Sequence, residues 1–210
     1  NAYNSKLWYL TKTPFSNIFF KQVVSDISNL YGSIKGLSRK LLILDLDDTL
    51  WGGIVGEVGW KNLRIGGHDH LGESFRDFQI QIKSLKNQGI ILALASKNDE
   101  ATAIEAINSH PEMVLSMKDF VTHRINWEDK ASNIIDIVDE LNLGLQSVVF
   151  LDDSPFERER VREALPEVLV PELPEDPTDY NVCLSKLRCF DTTNITEEDK
   201  HRANLYKSES

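Results

Sequence analysis

Leu41-Leu-Ile-Leu44 is an uninterrupted aliphatic run that ends in Asp45-Leu-Asp-Asp-Thr49, three carboxylates within four positions. A short continuous apolar run suits a strand covered on both faces, which restricts the chain to a parallel sheet between helical layers. Leu41–Leu46 reads as that strand. Two like charges about 4 Å apart repel by about 4 kcal/mol at an effective dielectric of about 20. Something must offset that repulsion if three of them are kept at the end of a buried strand.

The pattern then repeats. Phe75, Phe78, Ile82 and Leu85 recur at helical spacing between Gly72 and Gln88, with Gly89 as the stop. Ile90–Ala95 reads as a second buried strand, after which Asn98 would cap a helix carrying Ala101, Ile104 and Ile107. Val121–Ile125 is a weaker strand, followed by a helix over Lys130–Leu143 closed by Gly144. Ser147–Leu151 is the clearest later strand, Pro155 opens a helix to Leu165, and Val168–Val170 reads as an edge strand. This alternation predicts an α/β fold, a Rossmann-like parallel sheet with helices on both faces. Residues 1–39, amphipathic around Phe15–Leu30, read as a helical extension and 40–177 as the catalytic domain. Residues 178–210 read as a tail in which Thr196 would cap a final helix. The chain starts at Asn1 rather than Met and is expected to be a piece of something longer.

Charge and cysteine content narrow the function classes. A net charge of −10 argues against sequence-independent nucleic-acid binding, which needs an electropositive surface. No apolar run is long enough to span a membrane. Two cysteines, Cys183 and Cys189, make neither a disulfide framework nor a metal site, so a reduced, cytoplasmic setting is expected.

In open parallel sheets ligands bind at the carboxyl ends of the strands, near a reversal of strand order. The residues there are Asp45, Asp47 and Thr49 after the first strand and Ser96-Lys97-Asn98 after the second. Lys130 follows the third and Asp152-Asp153 the fourth. This set resembles the haloacid dehalogenase superfamily, whose first motif is Asp-x-Asp-x-Thr/Val after a buried strand. Ser96 matches its second motif, Lys130 its third and Asp152-Asp153 its acidic fourth. The resemblance implies Mg²⁺ held by Asp45, Asp47 (through its carbonyl) and Asp153, with Asp152 orienting them. Asp45 would attack phosphorus, and Asp47 would protonate the leaving group and then activate water. Ser96, Lys97, Asn98 and Lys130 would hold phosphate oxygens. The intervals Thr49–Ser96 and Ser96–Lys130 are filled by the elements already assigned, so a capless site is expected, with glycine-rich Trp51–Leu71 as a mobile flap.

Longer strings sharpen the resemblance. "LDLDDTLWGGIVGEVGW" (44–60), "SKNDEATAIEAI" (96–107), "INWEDKASNI" (125–134) and "LQSVVFLDDSPFERERVREALPEV" (145–168) are similar to the FkbH-like family of polyketide biosynthesis. The likeness is dense from Lys40 to Pro177 and weaker in "KTPFS" and "TEEDKHRANLY". It implies that the chain dephosphorylates 1,3-bisphosphoglycerate and loads a three-carbon glyceryl unit onto the phosphopantetheine thiol of an acyl carrier protein. Two alternatives stay open: a small-molecule phosphatase without carrier loading, and a catalytically silent docking module.

Several residues carry a sharp and a bland reading together. Cys189 could carry an acyl thioester or simply fill a core gap. His68, Asp69 and His70 suggest a metal site but lack further ligands. Asp48 reads as a structural hydrogen-bond partner, and Trp51 and Trp60 as core or flap anchors. Arg158 and Arg162 share a helix face that could meet an acidic carrier.

Overall fold

A computed structural model describes residues 5–34, 39–67 and 69–190. These fall into two compact units, one holding the first two helices and one that covers Arg39–Phe190. The first contains α1 (Ser5–Thr11) and α2 (Asn17–Ile34), with Phe15 and Phe19 stacked at 4.4 Å just ahead of and within α2.

The second unit is a four-stranded, all-parallel sheet of β1 (Leu41–Leu44), β2 (Ile91–Ser96), β3 (Thr122–Ile125) and β4 (Val148–Leu151), in the order β3-β2-β1-β4. The interleaved helices are α3 (Val55–Val58), α4 (His70–Asn87), α5 (Glu100–Ser109), α6 (Lys130–Glu140), α7 (Pro155–Ala164) and α8 (Tyr180–Lys186). The period-2 alternation of a strand divides the aliphatic runs between two cores. Leu42, Leu44, Leu92, Leu94, Val149 and Leu151 pack with Phe75, Phe78 and Ile82 of α4, Ala103 and Ala106 of α5, and Leu184 of α8. Leu41, Ile43, Ile91, Ala93, Val148 and Phe150 pack with Ile134, Ile137 and Val138 of α6 and Val161 of α7. At the edge, β3 carries the polar His123 and the charged Arg124, which discourage pairing with another chain.

The chain leaves β1 towards β2 and β3, then returns to place β4 on the other side of β1. The reversal falls between β1 and β4, so the crevice beyond those two strand ends is where a ligand would sit.

Three sequence expectations change. The second unit does not stop at Pro177: Tyr180, Leu184 and Phe190 are buried in the first core, and the Tyr180 ring packs edge-on against Phe75 and Phe78. Val168–Val170 forms only an isolated bridge, Leu169 beside Val149, because Pro166 and Pro171 bracket it and supply no N–H. Residues 51–71 are not a loose flap. Gly52 and Arg64 exchange backbone hydrogen bonds at 3.0 and 2.9 Å, and Trp51, Val55, Leu63 and Ile65 are buried. The helix expected from Thr196 lies outside the described residues. Among the described residues, no helix is long and apolar enough to cross a membrane.

Candidate active site

Beyond Leu44 the Asp45 N–H still donates to Leu151 O at 3.0 Å, so Asp45 and Asp152 leave neighbouring strands side by side. Carboxylate oxygens of Asp45, Asp152 and Asp153 lie within 4.8 Å of one another. Among the described residues one ammonium answers them: Lys130 Nζ is 3.1 Å from Asp45 Oδ2 and 2.5 Å from Asp152 Oδ2, deep in the protein. Lys130 opens α6, where a cation gains nothing from the helix dipole. Its position is fixed by Asp129, whose Oδ1 caps the helix on the N–H groups of Ala131 and Ser132.

Charge balance at this site is poor. Burial and the Asp45 charge push the Asp152 carboxyl well above the usual range, even against the pull of Lys130. Burial, Asp45 and Asp48 raise Asp153 to about 6. Burial pulls the Lys130 ammonium down, but Asp45 and Asp152 outweigh it and hold the group above its ordinary value. Asp45 Oδ1 is buried with no hydrogen-bond partner among the described residues, a costly condition for a carboxylate oxygen. Three hard oxygen donors, one of them unpartnered, fit a small divalent cation such as Mg²⁺, which takes carboxylate oxygens together with substrate phosphate and water.

The structure separates the roles of the acids. Asp152 is engaged at both oxygens, Oδ2 with Lys130 and Oδ1 with the Ser154 N–H at 2.9 Å, and so holds the lysine in place. Asp153 is tied to Thr49, whose Oγ1 donates to Asp153 Oδ1 at 3.2 Å and accepts from the Asp153 N–H at 3.0 Å. The Asp47 carboxylate does not join the cluster: its Oδ1 accepts from Trp51 Nε1 (2.8 Å) and Val55 N–H (3.0 Å), and its Oδ2 from Asn98 Nδ2 (2.9 Å). Burial raises the Asp47 pKa despite those three donors, and nearby Asp45 adds to the rise. That is the direction a proton donor requires. The metal expectation for Asp47 concerned its carbonyl, so the carboxylate is left for proton transfer.

Ser96 is buried at the end of β2 and sits 3.4 Å from Asn98 Nδ2. Asp99, not Asn98, caps α5, accepting from the Thr102 N–H at 2.9 Å. Asn98 is thereby free to hold Asp47, to which its Nδ2 donates. Lys97 Nζ is drawn to Glu157 Oε1 at 2.7 Å, across to α7. Cys189 is not brought to the site. Its carbonyl accepts from the Arg39 N–H, at the amino end of β1, about 20 Å of strand away from Asp45. Asp69 is consumed as the α4 cap and as the partner of Arg64 at 2.7 Å, and His68 lies outside the described residues.

Arg158 and Arg162 are both engaged within the fold. The Arg158 guanidinium is buried and donates to the carbonyls of Asp152 (2.9 Å) and Asp153 (2.6 Å), locking the two acids' backbone. Arg162 donates to Val170 O at 2.9 Å and pairs with Glu172. Tyr180 was missed altogether: its hydroxyl donates to Asp48 O at 3.1 Å, steadying a residue held at φ +53°. Asp48 itself accepts from the Gly53 N–H at 2.7 Å, as its structural reading expects.

Against known proteins, no family model matches the chain, and no curated protein does. Solved structures do. A crystal structure of the N-terminal part of BF1531 from Bacteroides fragilis, containing a phosphatase domain complexed with Mg, is 45% identical with a TM-score of 0.87. The match covers 92% of this chain and 51% of that one, so the chain spans about half the length of this relative. The haloacid dehalogenase domain of effector protein Lem4 from Legionella pneumophila matches at 13% identity and a TM-score of 0.51, over 71% of this chain and 93% of that one. The second likeness speaks for the fold alone, and with the sheet order and strand-end acids it gives a definite result: the chain has the haloacid dehalogenase-like fold.

Proposed function

We propose that this domain is a Mg²⁺-dependent phosphoryl-transfer enzyme that works through an aspartyl phosphate on Asp45. The supporting observation is the buried, unpartnered Oδ1 of Asp45 beside the single ammonium of Lys130. The bound metal would draw Asp45 and Asp153 together with a phosphate oxygen and offset their repulsion. Asp45 attacks phosphorus, forming the Asp45–phosphorus bond as the bond to the leaving oxygen breaks. Asp47, aimed by Trp51, Val55 and Asn98, passes its proton to that oxygen. It then takes a proton from the water that cleaves the aspartyl phosphate. Ser96 and Lys130 hold the phosphate oxygens and receive the charge that builds on them.

The finer reading follows the FkbH-like strings: the substrate is 1,3-bisphosphoglycerate, and the glyceryl unit goes to the thiol of an acyl carrier protein. An acyl phosphate is already activated towards a thiol, so no nucleotide is needed. A site without a large lid is open to a substrate or acceptor presented on a macromolecule.

One incubation tests both levels. The chain is mixed with Mg²⁺, 1,3-bisphosphoglycerate and phosphopantetheinylated carrier, beside an Asp45→Asn control. Phosphate release and carrier mass are both followed. A glyceryl mass gain that needs Asp45 supports loading by this domain. Phosphate release with no mass gain leaves a phosphatase, and neither signal contradicts the proposal at both levels.

A further inference from the structure

Asp48 sits at φ +53°, in the left-handed region that a residue with a Cβ adopts only when its surroundings over-determine it. Its neighbours make the position consequential. Asp47 precedes it, and Thr49, which exchanges two hydrogen bonds with Asp153, follows it. A peptide unit is planar, so the φ of Asp48 is one of the two rotations that turn the 47–48 peptide, and with it the Asp47 carbonyl. That carbonyl is the oxygen that the Mg²⁺ reading makes a metal ligand.

Two hydrogen bonds bear on this conformation. The near one is local: Asp48 Oδ1 accepts from the Gly53 N–H at 2.7 Å, closing the loop on itself. The far one comes from α8, where the Tyr180 hydroxyl donates to Asp48 O at 3.1 Å. Tyr180 is buried, with its ring 6.0 Å from that of Phe75 and 5.4 Å from that of Phe78. The donor is therefore mounted on the core rather than on the loop it holds. A buried tyrosine hydroxyl needs an acceptor wherever it lies. Here it takes the carbonyl of the strained residue itself, so Asp48 is held at its side chain by the loop and at its backbone by the core.

We propose that Tyr180 is a positioning residue for the metal: by holding Asp48 left-handed, its hydroxyl keeps the Asp47 carbonyl turned for Mg²⁺ and Thr49 in place beside Asp153. The inference rests on the Mg²⁺ reading of the site. Tyr180 touches neither substrate nor metal in this account; it removes a reorganisation that binding would otherwise require. It also gives α8, which lies beyond the last strand, a part in the chemistry. The acids come from the ends of β1 and β4, and the residue that sets one of their carbonyls comes from a helix 132 positions downstream of Asp48.

The test is calorimetric titration of the chain with MgCl₂, without substrate, for the parent, Tyr180→Phe, Asp48→Gly and the double variant. Phenylalanine keeps the ring and its packing and removes the hydroxyl alone. Glycine takes positive φ without help, so the hydroxyl should matter only where Asp48 is present. The expected result is a Mg²⁺ dissociation constant raised about three- to tenfold by Tyr180→Phe in the parent background, and by less than about twofold in the Asp48→Gly background. Acetyl phosphate turnover should follow: the Mg²⁺ concentration for half-activity rises by the same factor, and kcat at saturating Mg²⁺ is nearly kept. An unchanged dissociation constant in Tyr180→Phe overturns the proposal and makes the hydrogen bond a device of the fold alone. An equal loss of affinity in both backgrounds also overturns it, because the effect would then not pass through the Asp48 backbone. A Tyr180→Phe chain that no longer folds without Mg²⁺ overturns it as well, since the hydroxyl would then be a requirement of the fold. A parent chain that takes up no Mg²⁺ overturns the metal reading itself, and this inference with it.

Discussion

The two ends of the sheet treat buried acid in opposite ways. At the amino end, Asp119, just ahead of β3, is 3% exposed and fully answered: Lys83 and Lys86 each reach it at 2.6 Å, and Ser116 gives it an N–H at 2.8 Å and a hydroxyl at 3.0 Å. At the carboxyl end, Asp45, Asp152 and Asp153 share one lysine, and an oxygen of Asp45 has no partner. One carboxylate with two ammonium groups is a fold device. Three carboxylates with one ammonium make a site that needs a ligand's positive charge to complete it. The difference shows in the pKa values: Asp119 is held down at about 2, because the two lysines and Ser116 outweigh burial, whereas burial and neighbouring acids raise Asp153 to about 6.

Substitutions should separate the two ends. The largest effect is expected for Asp45→Asn, which removes the nucleophile and should lower phosphate release by about 10³-fold or more. Because it also removes a repelling charge, the metal-free variant should melt no lower than the parent; a clear loss of stability would make Asp45 a structural acid like Asp119. Lys130→Met should cost the metal-free protein about 3 kcal/mol in urea unfolding, since it strands buried carboxylates. An unchanged midpoint would show that Asp152 and Asp45 need no counter-charge.

Mg²⁺ should raise the melting temperature, with stabilisation of about 2.7 kcal/mol at a hundred times its dissociation constant. Asp153→Asn should abolish most of that rise, whereas Asp119→Asn should leave it in place.

The smallest effect is in acid. Asp119 has a depressed folded pKa, so its contribution is present above the unfolded value of 3.8 and is lost as pH falls towards about 2. Asp119→Asn should remove about 1–2 kcal/mol at neutral pH, a figure already discounted because Lys83 and Lys86 are partly exposed. The site has the opposite sign. With Asp153 raised to about 6, its ionisation should cost the metal-free protein stability as pH rises from about 4 to 6. Unfolding curves across pH, with and without Mg²⁺, would show whether the two slopes oppose each other.

Much of this was legible in the sequence because the signals are local. An aliphatic run ending in acids announces a buried strand and its rim, so β1, β2, β4 and the placement of Asp45, Ser96, Lys130 and Asp152-Asp153 could be read directly. What was hidden depends on contacts between distant segments. Nothing near Tyr180 signals that its hydroxyl reaches Asp48, 132 positions away. Asn98 and Asp99 are both good helix caps, and only the demand of Asp47 for a donor decides between them. Arg158 and Arg162 share a helix face in any reading, but the carbonyls of Asp152, Asp153 and Val170 turn that face inward. The glycines of residues 51–71 suggested mobility, whereas Trp51 and Val55 anchor the segment to Asp47 and the core.

The most direct test of an under-compensated acid cluster built for phosphoryl transfer is to catch the phosphoryl group on the protein. The chain is turned over with acetyl phosphate and Mg²⁺, quenched in acid, and read by intact mass and peptide mapping. The account predicts a single phosphoryl group on Asp45, absent without Mg²⁺ and in Asp45→Asn. Phosphate release with the label on another residue, or unchanged turnover in Asp45→Asn, would contradict it.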